Sequence, residues 1–172
     1  MIRSQLNPSN YNPYYQVYLD QLDANLDLLQ GYQDGKTTMV EFMLNLPEDK
    51  RDYAYAEGKW TVKEVIQHTI DTERMFMYRC LRIARGDKTP MAGFNQDDYI
   101  APSNANNKSM EDLIQEYKST RDFAMNILHS FRAQDLLQVG VASGDTVSAG
   151  ALAFIVLGHE LWHKKVLEER YL

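Results

Sequence analysis

Cysteine is almost missing from this chain: Cys80 stands alone. One thiol makes neither an internal disulfide framework nor a cysteine-rich zinc site, and a reducing cytoplasm is the simplest setting for it. Positive charge is also short. Eighteen Lys and Arg face 24 Asp and Glu, a net charge of −6, and no basic stripe runs along any segment, so a phosphate backbone is not an expected partner. No stretch approaches the roughly 18 to 20 apolar residues of a membrane span, and the opening MIRSQLNPSN carries no apolar run. The composition that remains, 44% hydrophobic and 24% charged over 172 residues, is that of one globular domain with a real core. A small molecule is the expected partner. No internal repeat or low-complexity tract interrupts the chain.

Hydrophobic periodicity predicts four helices. From Asn25, the positions Leu28, Leu29, Tyr32, Met39, Phe42, Met43 and Leu46 keep a 3.6-residue phase, with a break allowed at Gly31 and Gly35. The second helix starts at a capping box, Thr61 at the N-cap and Glu64 three residues on. Its buried stripe runs through Val62, Val65, Ile66, Thr69, Phe76, Cys80 and Ala84 to a stop at Gly86. A third begins at Ser109 with Asp112 in the same relation and passes Leu113, Tyr117, Phe123 and Ile127 to about Ser130. The fourth follows Ser148 and ends near Arg170. Val139 to Val147 alone has strand character.

Four helices of about 20 residues imply an all-α four-helix bundle. The segment from Gly86 to Lys108 is about 23 residues long and can reach about 75 Å, whereas the second helix spans about 37 Å. The loop can therefore cross the whole bundle and leave helices two and three parallel. Helix four is then antiparallel to helix two. The aromatic run YNPYYQVY suggests that residues 1–24 form an N-terminal segment clamped onto the bundle or onto a second subunit, so a homodimer is one expectation.

The fourth helix contains GHELWHKK, with His159 and His163 four residues apart on one face, the spacing that lets two imidazoles hold one metal ion. Two imidazoles on an otherwise apolar helix both need polar partners. The predicted antiparallel packing brings His68 of helix two to their level. Three neutral imidazoles without cysteine form a site with open positions, the catalytic rather than the structural pattern for zinc. Zinc and nickel both suit such ligands. His129, at the far end of helix three, is excluded and fits a helix-end role beside the last carbonyls.

His-Glu-x-x-His is also a zinc-protease signature, but only nine residues follow His163 and the third ligand of such enzymes comes from downstream. The substrate-aligning edge strand is missing too. Glu160 remains a candidate base for activating water, against the plainer expectation of a solvated helix residue. Asp71, one turn beyond His68, is a second candidate, either orienting an imidazole or meeting substrate. Glu73 and Arg74 are expected on flanking faces, and Arg85-Gly86-Asp87 as a helix C-cap. Phe94 and Tyr99 are expected to cover the bundle end, and Cys80 to act as a small core residue.

The stretch GKWTVKEVIQHTIDTERMFMYRCLRIARGDKTPMAGFNQDDY, with the terminal GHELWHKKVLEERYL, resembles the DinB-like superfamily, which includes YfiT-type metal-dependent hydrolases and thiol-dependent transferases. The resemblance covers roughly residues 25–172. It implies a four-helix bundle of up-down-down-up topology whose divalent ion is held by one histidine of helix two and two of helix four, here His68, His159 and His163. The resemblance favours transfer of a low-molecular-weight thiol, since thiol-dependent transferases are among its members, with hydrolysis and a non-catalytic, stress-related metal-binding module as the alternatives. Because Cys80 falls on a buried face, the sulfur of any thiol chemistry has to come from a diffusible cofactor.

Overall fold

The computed structural model describes all 172 residues. Four long helices dominate it: α1 (Leu28–Leu44), α2 (Val62–Ala84), α3 (Met110–His129) and α4 (Ala149–Arg170). Three begin at the expected caps. The Thr61 hydroxyl accepts the Glu64 N–H at 3.2 Å while the Glu64 carboxylate accepts the Thr61 N–H at 2.8 Å, and Ser109 and Asp112 repeat the exchange on α3. Ser148 accepts the Ala151 N–H at 3.1 Å at the start of α4. α1 starts at Leu28 rather than Asn25, because Asp27 accepts the N–H groups of Leu29 and Gln30. It then runs without a break through Gly31 and Gly35.

Pairs between helices give the directions. Gln67 bonds Glu116, Arg74 bonds Thr120 and Arg85 bonds Ser130, so α2 and α3 run parallel. His68 meets His159 and Cys80 meets Ala149, so α4 runs antiparallel to α2. The bundle is up-down-down-up. The crossover carries a short helix, Asp97–Ser103, and returns along the bundle until Asn106 bonds Thr61 and Glu64 at the start of α2. At the other end of α2 the Arg85-Gly86-Asp87 turn closes the helix: Gly86 has φ +85° and Asp87 donates its N–H to the Arg82 carbonyl.

Residues Val139–Ala142 (β1) and Asp145–Ser148 (β2) form an antiparallel hairpin, which resolves the single strand-like stretch of the sequence into two strands. Met91 of the crossover bonds Val141 and Ser143 and ties the loop to it. The N-terminal segment lies along the bundle, with Tyr18, Leu19 and Leu22 buried and Met1 to Ser4 bonded to residues 24–28. One side chain departs from the expected stripe. Phe123 is 52% exposed, and Ala124 is buried in its place, because residue 124 lies two full turns from Tyr117 whereas 123 is about 100° out of phase.

Buried apolar residues fall into two clusters, one around Phe76, Cys80, Ile83 and Leu152 to Leu157, the other around Met39, Met43, Ile66, Leu113 and Leu167. A layer of buried polar residues separates them: His68, Thr69, Thr72 and Glu73 of α2, Arg121 of α3, and His159, Glu160 and His163 of α4. No helix is long and apolar enough to cross a membrane.

Candidate metal centre

Antiparallel packing of α2 on α4 places His68 against the two histidines one turn apart on α4. The Nε2 atom of His159 lies 3.1 Å from that of His68 and 3.0 Å from that of His163, and ligand nitrogens of all three rings fall within 4.8 Å of one another. Zinc binds imidazole nitrogen at about 2.0–2.1 Å, so two nitrogens on one ion stand about 3.0–3.4 Å apart. The donor set fits a divalent ion in spacing and in chemistry. All three rings are buried, at 4%, 6% and 8% exposure for His68, His159 and His163. Burial holds them neutral: His68 is pushed down to about 4, His163 to about 3, and His159 well below 6.5, where burial is reinforced by the other two imidazoles. Neutral imidazole is the form that ligates metal.

Each ring is backed by one aromatic side chain. Trp60, just before the α2 cap, lies 4.8 Å from His68 by ring centroids, Trp162 stands edge-on to His163 at 4.8 Å, and Tyr18 stands edge-on to His159 at 5.1 Å. Tyr18 reaches this place because Gly158 lets the N-terminal segment touch α4. A Cβ on Gly158 would sit 2.1 Å from the Tyr18 carbonyl oxygen. The sequence reading missed these three aromatics, although Trp60 and Trp162 sit inside the motifs that carry the histidines.

The two candidate carboxylates are directed elsewhere. Glu160 is buried and accepts from Arg121 Nη2 at 2.7 Å, and Glu73 accepts from Arg121 Nε and Nη2, both at 2.9 Å. Glu160 is not the solvated residue expected of it, and Glu73 lies in the core rather than on a flanking face. The guanidinium lies between the Tyr32 and Tyr117 rings, at 4.8 and 5.2 Å, and Gly35 leaves it room. Burial and the second carboxylate together push Glu160 up to about 7 against the pull of Arg121. Asp71 accepts from Gln67 at 3.1 Å and from Arg74 at 3.0 Å, on the half-exposed side of α2, rather than from an imidazole. His129 is exposed at the end of α3 and is no member of the histidine group.

Two cavities reach the histidines from different sides. One, of about 310 Å³, is bordered by His159 with Tyr15, Tyr18, Phe76, Arg79 and Phe94. The other, of about 480 Å³, is bordered by His163 with Trp60, Trp162, Lys59 and Tyr171. Asp97 of the crossover borders both. A third, of about 160 Å³, lies beside Glu160 and α1 and touches no histidine.

Residues 32–167 match the model of the DinB superfamily. The chain belongs to that superfamily. YfiT from Bacillus subtilis, described as a probable metal-dependent hydrolase with an unusual four-helix bundle topology, superposes on this DinB-superfamily chain with a TM-score of 0.69. The identity is 15%, over 83% of this chain and 85% of that one. A mycothiol-dependent maleylpyruvate isomerase superposes with a TM-score of 0.63 at 17% identity, over 80% of this chain and 58% of that one. At these identities the likeness is one of fold. No curated protein matches the sequence significantly.

Proposed function

We propose that this chain is a metal-dependent transferase that joins a low-molecular-weight thiol to an electrophilic small molecule at a zinc or nickel ion held by His68, His159 and His163. The observation that carries this reading is the pair of cavities, which approach the histidines from two sides through His159 and His163 and so suit two separate reactants. A divalent cation on three neutral ligands lowers the pKa of a thiol or a water that joins it.

The protein's own side chains supply the rest. Cys80 is no nucleophile: it is fully buried, donates its S–H to the Ala149 carbonyl at 3.3 Å, and is pushed up to about 12 by burial. The thiol must diffuse in. Glu160, the candidate base, is held by Arg121, and a thiol needs a base less than water does because its pKa is lower to begin with. In the reaction the thiol proton leaves to solvent and the sulfur forms a bond to the electrophilic carbon, while a π bond at that carbon opens and its electron pair takes up a proton, or a leaving group departs with the pair. Trp60, Tyr18 and Trp162 fix the three rings so that their Nε2 atoms stay convergent.

Hydrolysis is the second reading. It is favoured by the likeness to YfiT and by Asp97, a carboxylate on the border of both cavities that is free to serve water as a base. Elemental analysis of protein purified without a nickel column tests the site: about one divalent ion per chain is expected, and none after His68, His159 and His163 are all changed to Ala. Stoichiometric metal in the triple variant overturns it. The reaction is tested by offering the metal-loaded protein a panel of cellular thiols with a chromogenic electrophile, beside ester and amide substrates. Metal-dependent ester turnover that no thiol accelerates replaces the transferase with a hydrolase, and no metal-dependent turnover of either kind leaves a binding module.

A further inference from the structure

A guanidinium buried in a protein carries a charge that has lost its water, so it is expected to sit beside a carboxylate. Arg121 obeys this rule with two of them. Arg79 does not. It lies on α2 about three turns beyond His68, is 3% exposed, and its protein hydrogen bond is one from Nη2 to the Ala92 carbonyl at 2.7 Å. None of the ion pairs of the molecule includes it. Its cation is flanked instead by the rings of Phe76 at 5.7 Å and Phe94 at 5.4 Å. A guanidinium has five N–H donors in a planar fork that matches a carboxylate, and most of those on Arg79 remain for something else. The cavity that Arg79 borders is the one that ends at His159. The rings of Tyr15, Tyr18, Phe76 and Phe94 form much of its wall, beside Thr72, Asn95, Gln96, Ser143 and Ile155, and its charged rim residue, Asp97, is exposed and forms no ion pair with Arg79.

We propose that this cavity binds a small carboxylate with a flat, unsaturated or aromatic body, the carboxylate seated on Arg79 and the body lying between the aromatic walls toward His159. This deepens the transferase reading by naming the chemical class of its electrophilic reactant. It rests on that reading only for the reaction. Binding rests on Arg79 and the cavity. A guanidinium stacked between rings and opened on one side presents its free donors in one plane, which favours a planar anion that stacks in the same slot. A neutral molecule of the same shape would keep the wall contacts and leave the buried cation uncompensated.

Isothermal titration calorimetry on the metal-free and the metal-loaded full chain tests this with two isosteric probes, trans-cinnamate and trans-cinnamamide. Cinnamate is expected to bind at least about tenfold tighter than the amide, since a carboxylate on a buried guanidinium forms charge-assisted bonds that an amide cannot. Arg79→Met is expected to remove that preference by weakening cinnamate alone, and Arg79→Lys to restore part of it. The comparison of the two probes on the unaltered protein needs no variant, so a fold defect in Arg79→Met does not shield the proposal. Equal affinity for acid and amide overturns it, as does undetectable binding of both at millimolar concentration. Displacement of cinnamate by inorganic phosphate or acetate at equal strength overturns the aromatic part. Stoichiometric metal in the triple histidine variant with the preference for cinnamate intact is a failure of the metal reading alone, and loss of metal in that variant with equal affinity for acid and amide is a failure of this one alone.

Discussion

His159 and Glu160 are neighbours on one turn of α4, yet they feed buried polar clusters of opposite kind. On the Glu160 side, Arg121 bonds two carboxylates at 2.7 to 2.9 Å and is stacked between two tyrosines, so the cluster is closed by the chain's own charges. On the His159 side, three neutral imidazoles converge with no protein cation among them and with cavities opening on two flanks. The first cluster answers its own charge, with Arg121 Nη1 alone left unpartnered. The second asks for a charge from outside. Both lie in the one polar layer that divides the apolar core, so the same break in hydrophobic packing holds a closed charge cluster and an open histidine group.

The largest effect is expected from opening the closed cluster. Arg121→Met leaves Glu73 and Glu160 buried without a counter-charge, and breaking a buried pair in this way costs about 3–5 kcal/mol. Urea denaturation of the metal-free protein measures it. Adding Glu73→Leu and Glu160→Leu removes the stranded carboxylates and should recover a large part of the loss. A loss below about 1 kcal/mol from Arg121→Met alone contradicts the picture of a self-sufficient charge cluster.

The two clusters should also respond to pH with opposite signs. The histidines titrate below 6.5 in the folded protein, His68 near 4 and His163 near 3. The unfolded chain therefore takes up protons below about 6.5 that the folded chain refuses. Stability contributed by the neutral rings is lost as pH falls from about 6.5 toward 4, by up to about 1.4 kcal/mol per pH unit for each ring. Glu160, raised from 4.5 to about 7, runs the other way, because the folded chain holds a proton that the unfolded chain releases. Its contribution is lost as pH rises from about 4.5 to 7. Three rings outweigh one carboxyl, so the metal-free protein should be less stable at pH 5 than at pH 7. Glu160→Gln, which cannot titrate, should make that acid loss steeper. An acid slope unchanged in Glu160→Gln contradicts the raised pKa.

Much of this was legible in the residues, and the reasons differ by element. Caps are local, so Thr61 with Glu64, Ser109 with Asp112, and Ser148 fixed three helix starts. The level of the histidines followed from loop reach and antiparallel packing. The partners of Glu73 and Glu160 escaped notice because a charge in a helix reads as a solvated face, and only the fold brings three helices together at Arg121. A signal was nevertheless present. Arg121 continues the Leu113–Tyr117 stripe and leads to Ala124, all four buried, while Glu73 lies in phase with Ile66, Ile70 and Met77. A charged residue in the apolar phase of several helices at one height announces a buried ion network. Arg79 has the same phase relation to Phe76 and Ile83, but what it lacks, a partner, is visible only in three dimensions.

The smallest expected effect belongs to the fourth histidine and bears on how sharply the open cluster is bounded. His129 is the last residue of α3, which runs parallel to α2, and Arg85 and Ser130 bond at 3.0 Å at that end of the pair. From His68 to Arg85 the helix rises about 25 Å, far beyond the reach of an imidazole. His129→Gln should therefore leave the metal content at the unaltered value and should change stability by no more than about 0.5 kcal/mol, the usual range for an exposed position. Elemental analysis beside thermal unfolding reads both quantities on one sample. Loss of the ion with the fold intact would mean that α3 runs antiparallel to α2 in solution, since only that arrangement carries residue 129 to the height of His68.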